Sequence, residues 1–154
     1  MNLSFSTKGW NSLSWQELMD EAVDNEFQGI EIFDPVKEGM NAKDGPFHRY
    51  TAAATLRSLK EKKQTISAFD TSYDLSSKET DPEEINSVIE LARSMEVPYI
   101  AFPVGSDDDG TVTEKLDALL PRGAQVVGVG HHAQLPGHHA HVPVGQQQQR
   151  HQIG

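Results

Sequence analysis

The sequence predicts an α/β fold built on a parallel sheet. Three observations carry that reading. Short β-like runs begin near residues 3, 29, 66 and 99. An amphipathic helical pattern follows each of them. The runs are apolar on both faces, as strands must be when crossover helices cover the sheet. A chain of 154 residues is the size of one domain with a real core. The spacing of about 30 residues per unit suits a small doubly wound sheet or part of a (β/α)8 barrel, which needs roughly 250 residues for eight units. On the barrel reading, four of eight units are present.

Each element has its own signal. "LSFS" (3–6) is a short strand candidate, followed by the turn-rich "TKGWNS". A helix is expected from about Trp15 to Phe27, with Ser14 and Glu17 as a capping box that satisfies free backbone N–H groups. Trp15, Leu18, Met19, Ala22 and Phe27 fall on one face of it. "GIEIF" is the second strand, and the loop "DPVKEGMNAKDGPFH" leads into a helix expected from Arg49 to Lys63, burying Ala52, Ala53, Leu56 and Leu59. "TISAFD" (65–70) is the third strand. Asp81 and Pro82 start the next helix as N-cap and first helical residue, with Glu84 as the reciprocal cap. Ile85, Val88, Ile89, Ala92 and Met95 line its buried face. "PYIAFPV" is the fourth strand, and Thr111 with Glu114 predicts a capping box for a fourth helix.

Composition removes several function classes. The formal net charge of −10 argues against nucleic acid and against an anionic membrane surface, both of which need clustered Lys and Arg. No apolar run approaches a membrane span of about 20 residues. "MNLSFSTKGW" lacks the basic start and apolar core of a signal peptide, so a cytoplasmic location is expected. With no cysteine, disulfides, thiolate nucleophiles and cysteine zinc sites are excluded.

Four stretches, "LSFSTKGW", "FQGIEIFD", "TISAFDTSYDL" and "ARSMEVPYIAFPVG", follow one order and spacing over about 115 residues. Together they resemble the N-terminal half of the sugar phosphate isomerase/epimerase family, the xylose-isomerase-like TIM barrels. The resemblance implies a partial (β/α)8 barrel over residues 1–121. It also implies a sugar or sugar phosphate substrate and proton transfer through an enediolate held by a divalent metal (Mn, Mg, Co or Zn). In that family two Glu, one Asp and one His hold the metal at the C-terminal ends of the later strands. The first of those strands would begin here around residues 125–130, at "AQVVGVGHH", and no Glu follows it. None of the family ligands is assignable, so this chain by itself is expected to lack appreciable isomerase activity.

Four residues are substrate-pocket candidates. Glu31 is a carboxylate inside an apolar strand, where a barrel places groups pointing into its mouth. Asp70 ends the third strand in "AFDTS", which resembles the family's third-strand end; turn capping is its alternative. Trp10 would form an apolar wall against sugar carbons, or pack on its loop. His48 would act as an acid or base, or cap the entry to the second helix. Asp34, beside Pro35, reads as turn chemistry, and "SDDDG" (106–110) as a solvated loop.

Residues 122–154 differ in kind. Six of the seven histidines lie in the last 24 positions, and no acidic residue follows Asp117. His131, His132, His138, His139 and His141 are candidates for adventitious zinc, nickel or copper. A non-enzymatic metal-binding or interaction module is the alternative function. The segment is low in complexity, and the composition break predicts a frameshifted or foreign tail after Leu120–Pro121, which the downstream gene sequence would check. A half barrel also leaves two sheet edges and an apolar interior uncovered, so a homo-oligomer is expected.

Overall fold

The computed structural model describes residues 3–10, 12–105, 110–119 and, as backbone alone, 139–143. Four strands and four helices alternate: β1 (Ser4–Ser6), α1 (Trp15–Asp24), β2 (Gly29–Phe33), α2 (Ala52–Glu61), β3 (Thr65–Asp70), α3 (Pro82–Ser94), β4 (Tyr99–Pro103) and α4 (Thr111–Leu119), followed by β5 (His139–Pro143). The sheet order is β1-β2-β3-β4-β5. The β1–β2, β2–β3 and β3–β4 pairs are parallel, as the βα rhythm requires. This is an α/β fold of four parallel βα units, a partial TIM barrel.

The β5 strand departs from that rhythm. It runs antiparallel to β4, pairing Tyr99 with Pro143 and Pro103 with His139. The expectation of an irregular tail therefore fails at this segment. The edge of β4, expected to be open, is occupied. Extended backbone beside an unpaired strand edge has hydrogen bonds to gain whatever its side chains are.

One face of the sheet makes the core. Ile30, Ile32, Phe69, Ile100 and Phe102 are fully buried and share one cluster with Met19 and Ala22 of α1, Leu59 of α2, and Val88, Ile89 and Ala92 of α3. Apart from the two alanines, each such side chain contributes roughly 1.5–3 kcal/mol by leaving water. The register shifts between Ile30 and Glu31, so Ser67 is an extra residue on β3. The opposite, inner face carries Ser4, Gly29 and Ser67, then Ser6, Glu31 and Ala68, then Phe33, Asp70 and Ala101. It is mostly small or polar, which corrects the expected apolar interior.

Helix boundaries moved in instructive ways. The Ser14–Glu17 capping box forms in full, and Asp81 accepts the Glu83 N–H with Pro82 at the first turn. The α1 helix stops at Asp24, because Glu26 takes a positive φ of 58° and turns Phe27 back toward the core. The α2 helix begins at Ala52, three residues later than expected. The Thr51 hydroxyl instead donates to the Gly45 and His48 carbonyls and holds a turn ahead of the helix. Thr55 and Leu59 are buried while Ala53 is exposed, so the buried face of α2 is rotated from the expected one. In α4 Thr111 is the first helical residue, and the Glu114 N–H bonds the Gly110 carbonyl.

Candidate functional site

The C-terminal ends of the parallel strands are where this fold builds sites. There the loop after β1 and the loop after β2 enclose a cavity of 480 Å³. Thr7, Trp10, Trp15 and Phe33 form its inner wall, and Glu38, Lys43 and Asp44 its charged rim. Both tryptophans of the chain line it. Thr7 is fixed from two sides, its N–H donating to the Glu31 carbonyl and its Oγ1 accepting the Phe33 N–H at 2.9 Å. Trp10 packs against Phe5 with ring centroids 5.8 Å apart, yet stays 42% exposed at the cavity. Trp15 sits edge-on to buried Phe47 at 5.2 Å.

Backbone geometry closes the floor of the 34–46 loop. The Met40 N–H reaches the Pro35 carbonyl and the Phe47 N–H reaches the Met40 carbonyl. A Cβ at Gly45 would lie 2.2 Å from the Met40 carbonyl oxygen, so glycine is required for that approach.

The loops over β2, β3 and β4 are braced to one another. Asp34, buried and at φ 45°, accepts the Ser72 N–H at 2.7 Å. Lys37 bonds the Ser72 hydroxyl, and its ammonium sits 4.1 Å from the centre of the Tyr73 ring. Burial pushes the Tyr73 hydroxyl up, with the carboxylates of Glu84 and Asp34 adding to the effect. Asp74 accepts from the Ser76 N–H, the Ser76 hydroxyl and the Gly105 N–H, tying the loop after β3 to the end of β4. Burial raises the Asp74 carboxyl, but those hydrogen bonds and the Lys115 charge outweigh it and hold it below the ordinary value.

The four candidate residues separate. Trp10 lines the cavity. Glu31 and Asp70 both lie on the inner face, on neighbouring strands and two residues out of register, outside the cavity lining. His48 faces elsewhere: its ring packs on Tyr50 at 5.1 Å and lines an open groove between α2 and α3 on the outer surface. Its position before a delayed helix start carries it out of the strand-end region. Sequence reading missed Trp15, Phe33, Glu38, Lys43 and Asp44 as cavity residues. The length and glycines of the 34–48 loop were the available signal.

A divalent metal does not fit the residues described. Among them no three His, Asp or Glu side chains come together as a ligand set, and the inner face offers two carboxylates. His131, His132 and His138 lie outside the described residues; His139 and His141 fall on β5, opposite Pro103 and Ala101.

No protein-family model matches the chain, and no curated protein matches it significantly. Among solved structures it is similar to the probable 3-DHS dehydratase AsbF, involved in petrobactin synthesis, from Bacillus anthracis, at 21% identity and a TM-score of 0.53. That match covers 65% of this chain and 37% of the AsbF chain. The likeness shows the fold alone, a TIM barrel of which this chain forms a part.

Proposed function

We propose that residues 1–121 supply the substrate-receiving wall of a xylose-isomerase-like barrel, and that the cavity over β1 and β2 takes a small polyhydroxylated molecule of the sugar class. The observation that carries this reading is the cavity itself, whose lining brings Trp10, Trp15 and Phe33 together with the loop carboxylates Glu38 and Asp44. Aromatic faces pack on the C–H surface of a sugar, and carboxylates accept its hydroxyl protons. Isomerisation or epimerisation through an enediolate is the reaction that the family resemblance implies. The described residues bring no metal-holding set to the pocket, and the reading proposed for this chain is binding without turnover. Titrating the full chain with a panel of pentoses, hexoses and their phosphates tests this, with Trp10→Ala as control. Binding is expected to change the tryptophan fluorescence, and the variant to weaken binding roughly tenfold, about 1.4 kcal/mol. An unaltered spectrum across the panel would overturn the pocket reading. Metal-dependent isomerisation by the purified chain would overturn its assignment as inactive.

A further inference from the structure

We infer that this pocket is built for an uncharged polyhydroxylated ligand and discriminates against the phosphate ester of the same ligand. The inference rests on the sugar-pocket reading above and narrows it.

The first support is the cavity wall. Trp10 and Trp15 line the cavity with aromatic rings that carry no cation among the described residues, whereas the Phe33 ring beside them has the Lys8 ammonium over it. The face of an aromatic ring is the negative side of its quadrupole, which suits C–H bonds and repels an anion.

The second support is charge. The lining holds Glu38 and Asp44 against Lys43. Lys8 adds one cation, its ammonium 4.7 Å from the centre of the Phe33 ring. Glu17, in the first turn of α1, adds a further carboxylate that the Ser14 hydrogen bonds hold below its ordinary value. The lining itself therefore sets two carboxylates against one ammonium group, within a chain of formal charge −10. A phosphate ester brings about −2 charge at neutral pH and meets repulsion both on approach and in place. Hydroxyl groups meet acceptors.

The third support is the helix end. A helix N-terminus is the usual backbone site for phosphate, because its first N–H groups are free. The α1 helix begins against this cavity, with Leu13, Trp15 and Leu18 in the lining. Its own acidic capping box already uses that end. The Ser14 Oγ accepts the Glu17 N–H, and the Glu17 carboxylate accepts the Ser14 N–H at 2.7 Å. An incoming phosphate would find the Ser14 and Glu17 N–H groups already taken and the Glu17 carboxylate beside those of Trp15 and Gln16.

The experiment titrates the full chain with glucose and with glucose 6-phosphate, following the fluorescence of Trp10 and Trp15 at low ionic strength and again at about 0.5 M salt. The neutral sugar is expected to bind at least roughly tenfold more tightly than the ester at low salt. High salt should narrow the gap by screening the carboxylates, and Asp44→Lys should narrow it without added salt. Equal or tighter binding of the ester would overturn the inference while leaving the sugar-pocket reading in place. A gap untouched by both salt and Asp44→Lys would overturn its electrostatic basis. If neither probe alters the fluorescence of the folded chain, the inference and the reading beneath it both fall.

Discussion

Asp34 directly follows β2, at a φ of 45°, and is 5% exposed, which a turn-capping role alone does not require. Its carboxylate accepts the Ser72 N–H across 38 residues of sequence, and its own N–H donates to the Asp70 carbonyl. Asp34→Ala leaves a part-buried N–H without its acceptor and is expected to cost about 1–3 kcal/mol. The measurement is a lower urea midpoint at unchanged slope. Asp74 makes a prediction about pH. Its folded pKa lies below the unfolded value, so its contribution is complete above an unfolded pKa of about 4 and is lost as pH falls through the folded value. Stability measured against pH should therefore lose part of its acid limb in Asp74→Asn; an identical limb would count against the loop clamp. Trp10 and Glu31 were legible as candidates because their residue types stand out locally. Asp34 and Asp74 were less so, since their partners are remote in sequence.

At the scale of elements, α1, α2 and α3 end alike. Glu26, Lys63 and Glu96 have φ of 58°, 56° and 56°, each donating its N–H three residues back. The next residue reaches five back: Phe27 to Ala22, Gln64 to Leu59 and Val97 to Ala92. These are Schellman ends, in which glycine normally takes the left-handed position. The side chains there carry a steric cost that glycine would remove. Lys63→Gly is expected to raise stability by about 0.5–1 kcal/mol, net of the extra freedom glycine gives the unfolded chain. Thermal melts check this, and a lower Tm would show that the entropy loss wins. Helix starts were readable at Ser14 and Asp81, where cap and partner lie within three residues. Helix ends were not, because no glycine marks them. The start of α2 was missed because Thr51 is engaged by the Gly45 turn.

For the whole molecule, the antiparallel β5 changes what the open sheet does. It covers the edge of β4 over Tyr99–Pro103, and the inner face is small and polar. Both features reduce the drive to self-associate that a bare half barrel would have. Deleting residues 122–154 removes β5 and uncovers that edge, so the shortened chain is expected to associate more strongly at equal concentration. Light scattering on sized fractions reads this; equal masses for both chains would show that the edge is not what limits association. The sequence by itself determined the βα rhythm, the parallel sheet, the Ser14 and Asp81 helix starts and most of the helix faces. These depend on periodicity and on neighbours a few residues apart. Tertiary structure alone decided that Trp10 shares a cavity with Phe33 and Asp44, that His48 faces the outer groove, and that β5 pairs backwards on β4. Those outcomes depend on strand register and loop closure between distant segments, and no local pattern encodes either.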